Sequence, residues 1–240
     1  MTICDAAKSP RALSTTPLRQ TGRIEALLVH SPLVGPSTVS PLAVALSAHG
    51  WSVNAPDLRG ATNSPRDFSA FVLNCCPKAE VVIGHSGAGA FLPAIADRVD
   101  AVVTVFVDAI LPGEDPPFLP SQRFVDVINE LPIREGLLPP WHQWWPAEAI
   151  NALIPDNTVR EAVVAEISAI PRSFYSDSID FPRSWWTRPA AYLQLSAAYG
   201  AELNQAKAWN WPTIEHTGGH LDLVVHPTEI AQDIVSLIGG

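Results

Sequence analysis

The run 81-VVIGHSGAGAFLPAIADRVD-100 passes from β-branched apolar residues into a helix pattern through a turn of glycine, alanine and serine. A strand joined to a helix by so few residues forces the apex residue, Ser86, into a strained backbone conformation. Its neighbours must then be small, as Gly84, Gly87, Ala88 and Gly89 are. Such a bend lifts the Ser86 hydroxyl clear of a sheet and turns the first N–H groups of the next helix toward the same point. A hydroxyl held this way is either an accident of the turn or a nucleophile. The flanking strand and helix favour the nucleophile.

The remaining chain supplies a sheet for this turn. Strands are expected at 23-RIEALLVH-30, 80-EVVIG-84, 101-AVVTVFV-107, 190-AAYLQLS-196 and 212-PTIEH-216, and 51-WSVNAPDLRG-60 gives a further short strand and a turn. Helices are expected at 40-SPLAVALSAHG-50, with Ser40 as N-cap and Gly50 as stop, at 66-RDFSAFVLNCC-76, from the serine turn to Arg98, at 200-GAELNQAKAW-209 and at 227-PTEIAQDIVSLI-238. This alternation predicts an α/β fold with a mostly parallel sheet and helices on both faces. It breaks over residues 111–189, which hold 12 of the 23 prolines and five of the eight tryptophans. We therefore expect a core of residues 23–110 and 190–240. Residues 111–189 form an insertion above the sheet, with helices at 121–130 and 156–170, and residues 1–22 form a loose polar arm.

Composition removes several function classes. With 47% apolar and 16% charged residues, the chain is expected to pack a globular core. A formal charge of −9 repels phosphate backbones, so nucleic acid is not an expected partner. The sequence lacks an apolar run of about 18 residues and a secretory h-region, so neither a membrane span nor export is expected. Cys4, Cys75 and Cys76 make no disulfide framework, which suits reduced thiols and a cytoplasmic location. No Cys or His spacing suggests a metal site.

The pentapeptide Gly84-His85-Ser86-Gly87-Ala88 resembles the G-x-S-x-G nucleophile elbow of the α/β-hydrolase superfamily, which includes serine esterases and lipases, with alanine in place of the last glycine. The turn 55-APDLRG-60 is also similar to one in that family, with Asp57 and Arg59 placed to pin it. The resemblance covers about residues 23–110 and 190–240, and it implies a Ser, acid, His order along the chain. His220, in 217-TGGHLD-222, occupies the loop where the family carries its catalytic histidine. His216 reads as the end of a strand, His226 as the start of a helix, His49 as a helix end, and His30 as a buried structural residue. For the acid, Asp108 ranks first because it ends the strand beside the serine strand. Glu202 ranks second and Asp222 third.

The same resemblance implies an oxyanion hole from the Gly87 N–H and a donor in 29-VHSPLVGPS-37. Pro32 has no N–H, so Leu33 is the expected donor, with Val34 beside it. In this architecture residues 111–189 become a lid. Trp141, Trp144, Trp145, Trp185 and Trp186, with Phe118, Phe124, Phe174 and Phe181, either line an apolar chamber or form the lid's own core. The expected activity is serine hydrolysis of an ester, thioester or lactone of a hydrophobic or aromatic small molecule, with no metal or cofactor. The alternatives are a lyase or cyclase using the same residues as acid and base, and a non-catalytic ligand-binding protein.

Overall fold

Strands buried on both faces are continuous apolar runs, and here they assemble into one parallel sheet. The computed structural model describes residues 23–239, so the arm expected over 1–22, with Cys4, lies outside it. In chain order the elements are β1 (Glu25–Val29), α1 (Ser40–Ala48), β2 (Ser52–Asn54), α2 (Pro65–Cys75), β3 (Val81–His85), α3 (Leu92–Arg98) and β4 (Val103–Val107). Residues 111–189 contribute α4 (Gln122–Glu130), β5 (Leu137–Leu138), α5 (Ala147–Leu153), α6 (Asn157–Ala165) and β6 (Ile170–Pro171). The alternation resumes with β7 (Ala190–Gln194), α7 (Gly200–Ala208), β8 (Thr213–Glu215), α8 (Asp222–Val225) and α9 (Pro227–Gly239). The six-stranded sheet runs β2-β1-β3-β4-β7-β8 with every pairing parallel, and β5 and β6 form a separate antiparallel pair.

Successive strand residues point to opposite faces, and the two cores divide accordingly. Leu27, Val82, Phe106 and Tyr192 pack on one face with Phe68 of α2, Ile95 of α3 and Leu203 of α7. Leu28, Ile83, Val105 and Leu193 pack on the other with Leu42 and Leu46 of α1 and Ile230 and Ile234 of α9. The region 111–189 adds to both cores, with Ile128, Leu138 and Phe174 on the first and Ile150, Ile154 and Val163 on the second. Its α6 end is tied to the loop after β1, where Glu166 Oε2 accepts the Ser37 N–H at 2.7 Å.

Several boundaries differ from the sequence expectation for local reasons. Ser40 is the first residue of α1 and not its cap, and its hydroxyl donates back to the Pro36 carbonyl at 2.8 Å. The segment after the serine begins as a 3-10 turn, Ser86–Phe91, and becomes α-helical only at Leu92. The expected helix 156–170 ends at Ala165, because Ile170 and Pro171 leave it to pair with β5. By contrast α2 starts as its sequence suggests, with Pro65 first and the Ser64 hydroxyl accepting the Asp67 N–H at 3.1 Å.

Strand order locates the site. Chain direction across the sheet reverses between β1 and β3, and the carboxyl ends of parallel strands at such a point form a crevice. Ser86 follows β3 there, and His30 follows β1.

Candidate active site

Ser86 adopts φ 58°, a left-handed conformation that a serine holds only when its surroundings enforce it. Two glycines supply the enforcement. A Cβ on Gly84 would stand 2.6 Å from Leu92 of α3, and one on Gly89 would stand 2.1 Å from the Ile110 carbonyl oxygen. Strand, turn and helix thus approach more closely than any side chain would allow. The Ser86 carbonyl accepts the Ile110 N–H at 3.1 Å, which couples the elbow to the loop after β4. Ala88, at the position where the superfamily motif has glycine, is fully buried.

Asp108 closes β4 with φ 43° and no exposure. Its Oδ1 accepts the N–H groups of Leu195 at 2.9 Å and Ser196 at 3.0 Å, just past β7. Its Oδ2 accepts the Ser196 hydroxyl at 2.6 Å and His220 Nδ1–H at 2.7 Å. Burial pushes this carboxyl up, but the hydrogen bond and charge of His220 and the bonds from Ser196 outweigh it, so the net shift is downward and Asp108 is ionised. His220 comes from the loop after β8 and reaches across two strands, bringing Nε2 within 3.0 Å of Ser86 Oγ. Carboxylate, imidazole and hydroxyl therefore stand in one hydrogen-bonded row.

The other candidates lie elsewhere. Glu202 is in the first turn of α7, where burial raises its pKa. Asp222 accepts the Gly219 N–H at 3.0 Å and faces His216, whose ring stands between it and Asp233 at 3.4 and 3.3 Å. These groups brace the His220 loop from behind. Gly87 adjoins the loop after β1, since a Cβ on it would stand 3.0 Å from Ser31 Oγ. The Leu33 N–H in that loop points to Ser31 Oγ at 3.3 Å, a long bond that a stronger acceptor can displace. Arg59 clamps Asp57 through Nε and Nη2 as expected, holding that carboxyl down to about 2.

The aromatic residues separate into two groups. Trp185 is buried against Phe106, Phe181, Trp209 and Trp211, and Trp186 stacks on Trp209. Trp185 Nε1 donates to the Gly113 carbonyl. These two rings pack on a face of the sheet, where indole area finds other indoles. A second row starts beside the elbow and runs Phe91, Phe174, Tyr175, Phe124, Trp144, with neighbouring centroids 4.8 to 6.2 Å apart. Trp141 packs on the opposite core, and Trp145 is about half exposed at 49%.

Three neighbours of the row escaped sequence reasoning. Ser196 carries no motif and is recognisable only once β7 is set beside β4. Tyr199, from the short turn after β7, places its hydroxyl 3.2 Å from Ser86 Oγ and stacks on His220 with centroids 5.2 Å apart and planes 10° apart. His85, buried before the serine, donates from Nε2 to the His220 carbonyl at 2.9 Å, and its ring lies 4.5 Å from that of His220.

Burial, and the nearby charge of His220, drive the His85 pKa down. His30 is lowered chiefly by burial; its Nδ1–H donates to the Ser31 carbonyl and its Nε2 accepts the Leu58 N–H. Both rings are therefore neutral in the folded protein. Unfolding returns them to the ordinary value of 6.5, so below that pH the unfolded chain binds protons that the folded chain excludes. Their contribution to stability is complete above pH 6.5 and declines as pH falls, by up to about 1.4 kcal/mol per pH unit for each ring. Urea midpoints should drop steadily from neutral to mildly acidic pH. A midpoint that stays constant over that interval would contradict the neutral, buried assignment.

A parallel sheet covered on both faces, with a strained serine and its imidazole at the switch point, defines a nucleophile-elbow α/β scaffold. The chain belongs to the alpha/beta hydrolase family, whose profile matches residues 26–233. No curated protein sequence matches it significantly. Among solved structures it is similar to an extracellular alpha/beta-hydrolase from a Paenibacillus species, at 16% identity and TM-score 0.69 over 89% of this chain and 98% of that one. It is also similar to a pyrethroid hydrolase from Sphingobium faniae, at 16% identity and TM-score 0.66 over 90% and 98% of the two chains. Tomato methylketone synthase I, complexed with 2-tridecanone, is similar at 12% identity and TM-score 0.67 over 90% and 98%. At such identities the likeness is one of fold. Among the described residues no helix is long and apolar enough to cross a membrane.

Proposed function

We propose that this protein is a serine hydrolase that cleaves an ester, thioester or lactone of a hydrophobic or aromatic small molecule. The observation that carries this reading is the row from Asp108 through His220 to Ser86, at 2.7 and 3.0 Å. Asp108 holds the imidazole with its proton on Nδ1, which leaves Nε2 free to take the Ser86 proton. Ser86 Oγ then attacks the carbonyl carbon. The Gly87 and Leu33 N–H groups receive the oxyanion, Leu33 giving up its long bond to Ser31 as it does so. His220 returns the proton to the leaving oxygen, and water assisted by the same imidazole clears the acyl-enzyme.

In this reading residues 111–189 act as a lid. The row from Phe91 to Trp144 offers an apolar wall that begins at the elbow itself, which suits a hydrophobic or aromatic acyl group. A fluorophosphonate probe should label Ser86 in the wild type and leave Ser86→Ala unlabelled. A series of chromogenic esters graded by acyl length and ring content should then rank the acyl preference. Turnover of a substrate that persists in Ser86→Ala would instead assign acid–base lyase or cyclase chemistry to the site. Tight ligand binding without turnover would make the protein a binding member of its family.

A further inference from the structure

The Tyr199 phenol meets the attacking oxygen and has no task in the scheme above. It projects from the 3-10 turn Ala197–Tyr199 and touches Ser86 Oγ at 3.2 Å, with its ring parallel to that of His220. Counting protons decides which group donates. In the tautomer that the hydrolytic reading requires, His220 gives its Nδ1–H to Asp108, Nε2 accepts, and the single serine proton points there. The Tyr199 O–H must then donate to a lone pair of Ser86 Oγ. Burial pushes the phenol pKa up, so the group remains a donor at any working pH.

We propose that Tyr199 is a further catalytic residue whose O–H hydrogen-bonds the leaving oxygen as the acyl-enzyme forms. This inference rests on the hydrolytic reading. When Ser86 Oγ passes its proton to Nε2 and forms the new C–O bond, it becomes an ester oxygen and a weak acceptor, which frees the phenol for a stronger one. The carbonyl π pair passes to the oxyanion, and when that tetrahedral intermediate collapses the bond from the carbonyl carbon to the alcohol oxygen breaks and its electron pair passes to the alcohol oxygen. The alcohol oxygen takes the proton from His220 Nε2–H, while Tyr199 keeps its own proton and donates a hydrogen bond. Location favours the leaving oxygen over the oxyanion. The oxyanion donors lie on the side of Gly87 and the loop after β1, whereas Tyr199 stacks on the imidazole that must reach the leaving group.

A hydrogen bond to the leaving oxygen is worth most when that oxygen carries most charge, which means an unactivated alcohol and not a nitrophenol. The site is therefore built for esters of ordinary alcohols. The test compares wild type and Tyr199→Phe on p-nitrophenyl, phenyl and ethyl butyrate, together with the rate of fluorophosphonate labelling. The variant keeps the ring that stacks on His220. For the ethyl ester kcat is expected to fall about 100-fold, against about threefold for the nitrophenyl ester, with KM little changed. Labelling, in which fluoride leaves, should slow no more than nitrophenyl turnover.

Equal losses on all three esters, or no loss on any, would overturn the assignment. So would a collapse of labelling accompanied by a lower melting temperature, which would make Tyr199 a support for the imidazole only. A wild type inert to all three esters and to the probe is a different result, because it removes the hydrolytic reading itself.

Discussion

Ser86→Ala is expected to lower kcat for ester hydrolysis about a million-fold, and Asp108→Asn about ten-thousand-fold. The serine loss is so large because, among the described residues, Ser86 Oγ is the hydroxyl that Nε2 meets. The Asp108 effect follows from how its two oxygens are used. Oδ1 is committed to the Leu195 and Ser196 N–H groups, so the oxygen of an asparagine would remain there. Its NH2 would then face Ser196 Oγ and His220 Nδ1, which now donate to Oδ2. Two donors cannot share that contact, so the imidazole must place its proton on Nε2. In that tautomer it has no lone pair to receive the serine proton.

Glu202→Gln should leave kcat nearly unchanged, since that carboxyl belongs to α7 and makes no bond to the imidazole. Steady-state kinetics on one chromogenic ester decides the matter. A large loss in Glu202→Gln with a small one in Asp108→Asn would reverse the assignment. Because the residues act as a unit, Ser86→Ala combined with His220→Ala should be no slower than either alone.

Gly89→Ala should be strongly destabilising. The added carbon would meet the Ile110 oxygen at 2.1 Å, the Ile110 nitrogen at 2.9 Å and Ala109 Cβ at 3.0 Å. Two of these are backbone atoms, and a rotamer change cannot move them. To make room the elbow must separate from the loop after Asp108, which breaks the bond from Ile110 N–H to the Ser86 carbonyl. We expect a cost of about 3 kcal/mol or more. For a domain of this size that lowers Tm by roughly 6–12 °C. Gly60→Ala is the control: no heavy atom lies within 4 Å of its added carbon, and Tm should change little. Gly89→Ala melting with the wild type in calorimetry would show that the elbow is looser than its close approach indicates.

The two predictions also mark how far the residues could be read unaided. Ser86 was legible because a nucleophile elbow is a local device: strand, small residues and helix are contiguous in the chain. His220 was legible through the family resemblance, because it lies in the loop between the last strand and the last helix where the family carries its catalytic histidine. Asp108 could be ranked above Glu202 and Asp222 because one right-handed crossover puts its strand beside the serine strand. Its four hydrogen bonds could not be foreseen, since three come from residues 195 and 196, placed there by β7 pairing with β4.

The tryptophans show the opposite case. All five in residues 111–189 have the same hydropathy and similar Pro-rich surroundings. Nothing local tells Trp185, packed among Trp209 and Trp211, from Trp144, which joins the row leading to the elbow.

Neighbouring residues determined the order of strands and helices, the apolar faces and the serine on its bend, because periodicity and steric strain act over a few positions. Only the folded sheet decided that Tyr199 touches Ser86, that His85 supports the His220 backbone and that Ser196 secures Asp108. Those contacts join residues separated by 88 to 135 positions. Hydrogen bonds of that kind depend on strand register and loop path, which are set by burying both faces of the sheet at once and leave no mark on the sequence near either partner.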